Sequence, residues 1–284
     1  MKSKAAIMLL TLTFVLAACS ADPAQTTSTV SPAPATAAAT ATTLPTATPS
    51  PTPTATPTPS PSPTPSEAAE VPKTYHMNKN YDIVPNDPAG NKKVILLTFD
   101  DGPKELEMNQ SLIDILHKHK AKAIFFMNGY RIKQKPELVK LVYDNGNYIG
   151  NHAWDHDNLK DMTNEKIDKQ VDDVQAIVKS LIGVTPQFFR PPFGSGNDYL
   201  KAKIKSEKML YMTWSNGSLD WEMTNKNNDP KKVIENVMQQ LHSGSNILMH
   251  ELPWTVSALD ELLTKLEEKG YSFIDPGAIE LEMR

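Results

Sequence analysis

The sequence predicts an α/β fold whose parallel sheet closes, or nearly closes, into a barrel. Two observations lead there. Seven short apolar runs recur between residues 94 and 274, separated mostly by stretches of helical periodicity, and strands alternating with helices build parallel sheets. The acidic, histidine and arginine residues that look reactive stand just after those runs. In a parallel barrel these strand ends converge on one rim. Histidines placed only for packing would have no reason to follow that rule.

The elements follow in order. Tyr75 to Asn91 mixes Asn, Asp, Pro and Gly and reads as an irregular lead-in. Val94 to Phe99 is apolar and short enough for a buried strand; it stops at Asp100 and Asp101, followed by the turn signal Gly102-Pro103. The next helix carries Leu112, Ile113, Ile115 and Leu116 on one side and ends in His117-Lys118-His119-Lys120, whose alternation with lysine predicts two solvated histidines. Ala123 to Met127 is the second strand. Pro136 opens a helix through Tyr143 that Asn145-Gly146 terminates, and Tyr148 to Gly150 is the third strand. After His152-Ala153-Trp154-Asp155-His156 comes a long amphipathic helix with Ile167, Val171, Val174, Ile177 and Leu181 at spacings of four and three. Gln187 to Phe189 is the fourth strand, running into Arg190-Pro191-Pro192-Phe193-Gly194. A helix from Asp198 to Glu207 leads to the fifth strand, Leu210 to Thr213, and then to the loop Gly217 to Trp221. Asp229 as N-cap with Pro230 behind it starts a helix with Val233, Val237 and Leu241 buried. Asn246 to Met249, ending at His250, is the sixth strand; a helix from about Val256 to Lys269 precedes the seventh, Tyr271 to Ile274.

Ahead of this domain, residues 71–284, lie two segments of different character. Residues 1–18 carry Lys2 and Lys4, an apolar stretch and small residues, the pattern of a secretory signal too short for a stable membrane span. It ends in Leu16-Ala17-Ala18-Cys19, which resembles the bacterial lipoprotein processing site and implies that Cys19 is lipidated and becomes the mature N-terminus, anchoring the chain to the membrane. Cys19 is the single cysteine, so the fold has no internal disulfide. Residues 19–70 are almost entirely Ala, Thr, Pro and Ser. Such a composition has no face to bury and predicts a disordered tether with a reach on the order of 150 Å. These segments predict an extracytoplasmic, membrane-anchored lipoprotein facing the cell wall. The net charge is −4 and no long basic run occurs, which excludes nucleic acid as a partner.

Neighbouring carboxylates repel, so ionising both Asp100 and Asp101 needs a compensating cation, a metal or an arginine. His152 and His156 are four apart, and two imidazoles with a carboxylate leave an open position on a divalent metal, the pattern of catalytic sites. Met77, Met108 and the other methionines show no ligand spacing and read as packing.

The segments Thr98-Phe99-Asp100-Asp101-Gly102, His152 to His156, Arg190 to Gly194, Asp220-Trp221 and Leu248-Met249-His250 stand in the order and approximate spacing of the polysaccharide deacetylase family, the NodB-homology domain of carbohydrate esterase family 4. The resemblance covers about Val94 to Ile274. It implies a distorted (β/α)7-type barrel and metal-dependent removal of acetyl groups from N-acetylated sugars. Carried over, it makes Asp101, His152 and His156 the ligands of zinc, or of cobalt or nickel, and Asp100 the base for the attacking water, held and kept ionised by Arg190. The backbone N–H near Phe193 would stabilise the oxyanion. His250, oriented by Asp220, would protonate the leaving amine, and Trp221 and Leu248 would wall the acetyl pocket. Two residues depart from the pattern. Ala153 stands where the family commonly has Ser or Thr, removing a hydrogen bond that would steady the ligand loop. Phe193 replaces the usual Tyr, at little cost to a backbone donor. A membrane-anchored head points to peptidoglycan as the glycan. Two alternatives use the same fold: a catalytically inactive glycan-binding lipoprotein, and an O-deacetylase.

Overall fold

The computed structural model describes residues 71–284. The signal, Cys19 and the tether lie outside the described residues.

The chain first lays down two short antiparallel strands, β1 (Tyr75–Met77) and β2 (Ile83–Pro85). The units that follow are β3 (Val94–Gly102), α1 (Leu106–Lys118), β4 (Ala123–Met127), α2 (Gly129–Gln134) and α3 (Pro136–Asp144). Next come β5 (Tyr148–Asn151), α4 (Asn164–Ile182), β6 (Phe188–Phe189), α5 (Asp198–Ser206), β7 (Leu210–Tyr211) and β8 (Asn216–Gly217). The series ends with α6 (Pro230–Gln239), β9 (Asn246–His250), α7 (Pro253–Glu268), β10 (Ser272–Phe273) and β11 (Ile279–Met283). All pairings in the main sheet are parallel; its order is β7-β6-β5-β4-β3-β9-β8, with β10 beside the start of β3.

All seven expected strands are present, yet the ring does not close by hydrogen bonding. β7 and β8 are the two ends of the sheet path and are joined by residues 212–215 alone. Four linking residues span at most about 17 Å, so the two ends must curl toward each other. The barrel is distorted because these two-residue strands have no crossover helix between them to set a pairing register. Side chains serve the seam instead. The Thr213 carbonyl there accepts from Arg190 Nη2 at 2.7 Å and from Asn246 Nδ2 at 3.0 Å.

Alternation along β3 divides the core. Ile95, Leu97 and Phe99 face the helices and pack with Leu112, Phe125, Met249 and Leu262. Val94 and Leu96 face the interior with Ile124, Phe126, Phe188 and Met212. Burying each such side chain stabilises the fold by about 1.5–3 kcal/mol. Thr98 and Asp100 continue the inner face and are also buried.

Several elements differ from the sequence reading. The lead-in is a small sheet, because β1 pairs in parallel with the C-terminal β11, a partner that local sequence cannot reveal. Met77, Ile83 and Ile279 from that sheet join the interior cluster beside Val94, flooring the barrel at the N-terminal ends of its strands. The stripe of α4 is buried at Ile167, Val171 and Val174 and also at Gln170 and Val178, while Ile177 and Leu181 are half-buried against the same core. α7 begins at Pro253, three residues early, since Pro suits the first helical turn. His117 is exposed, but His119 is not: its ring lies 2.9 Å from both Asp260 and Glu267, with only 5% of the side chain accessible. Among the described residues no helix is long and apolar enough to cross a membrane.

Candidate active site

Asp100 and Asp101 are neighbours on β3, and a regular strand would send them to opposite faces. The strand is irregular at this point. Its register against β4 shifts between Phe99 and Gly102, and Asp101 takes a left-handed φ of 65°. Both carboxylates thereby approach one imidazole: His152 Nε2 is 3.7 Å from Asp100 Oδ2 and 3.4 Å from Asp101 Oδ1. His156 Nε2 is 3.0 Å from the same Asp101 oxygen.

Each partner is fixed from behind. His152 Nδ1 lies 2.7 Å from the Arg190 carbonyl oxygen. A carbonyl can only accept, so Nδ1 carries the proton and Nε2 keeps its lone pair for the cleft. The guanidinium of Arg190 is fully buried; its Nη1 donates at 2.7 Å to both Asp100 Oδ1 and Thr98 Oγ1, and it lies over the Phe126 ring. Burial pushes this guanidinium below its usual pKa and the charge of Asp100 opposes that shift. On the other flank, His250 Nδ1 donates to Asp220 Oδ1 at 2.7 Å. Asp220 is wholly buried and its second oxygen accepts from the His250 backbone N–H at 2.7 Å and from Thr255 Oγ1 at 2.6 Å. Burial pulls the His250 pKa down, but the hydrogen bond and charge of Asp220, helped by Asp100 and Asp101, outweigh it and hold the imidazolium above its ordinary value.

Asp100, Asp101, His152, His156 and His250 line one cleft of about 380 Å³ at the C-terminal ends of the strands, together with Phe193, Trp221 and Leu248. Phe193 is 66% exposed, with φ 58°, and its ring meets His156 edge-on. Its backbone N–H has no acceptor among the described residues. Trp221 packs against His250, and Leu248 is buried. Every expected site residue within the described part of the chain lines this cleft except Arg190 and Asp220, which are buried behind it and hold Asp100 and His250. Sequence reasoning missed Trp214, which lines the cleft beside Trp221. It also missed Thr98 and Asn246, which accept from Arg190, and Thr255, which donates to Asp220. Thr98 carried a signal, lying two residues before Asp100 on the same face of β3.

The ligating atoms of Asp101, His152 and His156 all lie within 4.8 Å of one another. Buried Asp101 Oδ1 makes no well-formed hydrogen bond, although two ring nitrogens stand 3.0 and 3.4 Å away. Tetrahedral ligands about 2.1 Å from one ion are roughly 3.4 Å apart. The trio fits a divalent metal.

Residues 87–212 match the family model described as polysaccharide deacetylase. A peptidoglycan-N-acetylglucosamine deacetylase of Bacillus cereus is 33% identical over 197 residues, which cover 67% of this chain and 88% of the relative. The chain belongs to the polysaccharide deacetylase family. A peptidoglycan-N-acetylmuramic acid deacetylase of Bacillus subtilis is 37% identical over 191 residues; the match spans 67% of this chain and only 39% of that longer relative. Among solved structures, the Bc1960 peptidoglycan N-acetylglucosamine deacetylase aligns with a TM-score of 0.61 at 32% identity, covering 65% of this chain and 86% of that one. A family 4 pseudoenzyme from Bacillus anthracis aligns equally well, with a TM-score of 0.61 at 29% identity over 68% of this chain and 67% of the other. Membership in the deacetylase family therefore fixes the fold and leaves turnover to the residues of the cleft.

Proposed function

We propose that the protein is a metal-dependent N-deacetylase that converts acetamido groups on peptidoglycan amino sugars to free amines and acetate. One observation carries the reading: a carboxylate paired with Arg190 and an imidazole paired with Asp220 stand in one cleft that the candidate metal trio also lines. A non-catalytic relative has no need of both proton-transfer groups. The family likeness and the two similar peptidoglycan deacetylases support the substrate class.

Asp101, His152 and His156 would hold the cation, with zinc the expected ion. When bound, a divalent cation there supplies Lewis acidity, lowering the pKa of water and polarising the amide carbonyl. Asp100 accepts a proton from the water that attacks the acetyl carbon. Its oxygen shared with Arg190 Nη1 is held in place, which leaves Oδ2 for the transfer. As the carbonyl oxygen becomes negative, the free Phe193 N–H donates to it; one such donor is typically worth about 3 kcal/mol of barrier. Expelling an amide anion is prohibitively slow, so His250 Nε2 delivers a proton to the nitrogen as the C–N bond breaks. Trp221 and Leu248 wall the space for the acetyl methyl. A lipid on Cys19 and the Ala/Thr/Pro/Ser tether would station the domain outside the membrane within reach of the wall.

The test is acetate release by the purified, zinc-loaded protein from peptidoglycan fragments, chitin oligomers and acetylated xylan. Release from the N-acetylated glycans supports the proposal. Release only from xylan would replace it with ester hydrolysis, and zinc binding without release from any substrate would leave a glycan-binding protein.

A further inference from the structure

The two candidate ligand histidines are separated by three residues that belong to no helix or strand, and the family's hydroxyl is absent at Ala153. The loop's N–H groups from His152 to Asp155 and its carbonyls from His152 to Trp154 are nonetheless all hydrogen-bonded. Its carbonyls at 152, 153 and 154 accept from Asn128 Nδ2 at 2.7 Å and from the Gly129 and Tyr130 N–H groups at 3.1 Å. Those two N–H groups belong to the first turn of α2, which has no intrahelical acceptors for them. Gly129 is required there, since a Cβ would lie 2.1 Å from the Trp154 ring.

The loop's N–H groups are met from the other side. The Ala153 N–H donates to Asn151 Oδ1 at 3.0 Å. Trp154 and Asp155 both donate to a single atom, Gln170 Oε1, at 2.9 Å each. Gln170 Nε2 in turn donates to Asp155 Oδ2 at 2.7 Å. Gln170 sits among Ile167, Val171 and Val174 on the buried face of α4, where an amide is costly unless paired. Its three bonds all end on the two residues just before His156. Ala153 and His156 both take left-handed φ values, 59° and 61°, and in side chains other than Gly such backbone must be held by its surroundings.

We propose that Gln170 is a positioning residue for the metal site, a clamp on α4 that fixes the spacing of His152 and His156 and stands in for the hydroxyl missing at Ala153. This rests on the metal reading above. The clamp touches neither metal ligand side chain; it acts by holding the backbone between them.

The experiment is a zinc titration of the purified full chain against a competing chromogenic chelator, with the melting temperature of the metal-free protein measured alongside. Gln170→Ala is expected to weaken zinc binding about 10- to 100-fold, the usual cost of removing a group that orients a ligand. Gln170→Glu keeps the double acceptor but sets a carboxylate against Asp155, so it is expected to weaken zinc binding too. Adding Asp155→Asn restores an amide–carboxylate pair and is expected to recover most of the affinity. A purely structural Gln170 would lower the melting temperature of the metal-free protein and leave zinc affinity unchanged, which overturns the proposal. Equal affinities for Gln170→Glu with and without Asp155→Asn would overturn it as well, and that pair decides the matter if Gln170→Ala does not fold. His152→Ala is the control: if wild type binds zinc no better than this variant, the metal reading itself fails and the clamp falls with it.

Discussion

Replacing Asp220 by Asn tests the assignment of the proton donor. Asp220 is wholly buried, and its Oδ1 accepts the Nδ1–H of His250 at 2.7 Å. A hydrogen bond to a charged group contributes about 1.5–3 kcal/mol, and one pKa unit corresponds to about 1.4 kcal/mol. Losing the carboxylate charge should therefore weaken the hold on the imidazolium by an amount in that range and lower the His250 pKa. The general acid must be protonated to act, so activity falls as pH rises through that pKa. The basic limb of the kcat/KM profile for acetate release should move to lower pH with it. Stability changes with a matching sign. The folded-state pKa of His250 is raised above its ordinary value of 6.5, so the pair's stabilisation is fully present below that pH and is lost as pH rises through the raised value. Asp220→Asn should thus destabilise more at pH 6 than at pH 9. The same variant also turns an amide NH₂ or a lone neutral oxygen toward the His250 N–H and Thr255 Oγ1, a further cost of about 1–3 kcal/mol if a donor is left unpaired. A folded Asp220→Asn enzyme whose basic limb does not move would refute the role given to His250.

Other variants separate the remaining roles. Asp100→Asn should cut turnover at least about 100-fold while zinc affinity, read by chelator competition, stays near wild type; His152→Ala should lose both. Arg190→Met leaves the Asp100 carboxylate buried without its partner, and a loss of about 3–5 kcal/mol is expected in urea unfolding. Gly102→Ala would place a Cβ 1.9 Å from Glu251 Oε1. Glu251 is buried and tied to the Lys104 N–H and Asn109 Nδ2, so it cannot easily withdraw, and a cost of about 1–3 kcal/mol should appear in the same assay.

Much of this was legible in the chain. Apolar runs such as Val94 to Phe99 announce strands that are covered on both faces, and charged residues directly behind them have one rim to reach. That logic located Asp100, His152, Arg190 and His250 without coordinates. It could not see that Asp101 swings to the same side as Asp100, because the irregular backbone at φ 65° has no composition signal beyond the Gly-Pro that follows. Gln170 was hidden for a related reason. In the periodic stripe of α4 it reads as a polar interruption, and its value depends on a loop fifteen residues earlier. The small sheet was missed because three-residue strands show no alternation, and β1 finds β11 about 200 residues away. His119 was misread because the charge pattern around it is that of a solvated helix end, while Asp260 and Glu267 arrive from α7.

The floor formed by β1, β2 and β11 gives the domain a polarity. Its first and last described strands both leave from the base, joined by the Thr74 N–H to the Ala278 carbonyl and the Arg284 N–H to the Met77 carbonyl, whereas the acid, the imidazole and the three candidate ligands crowd the opposite end. An attachment made at either terminus grips the molecule like a handle and leaves the mouth open to a long polymer passing across it.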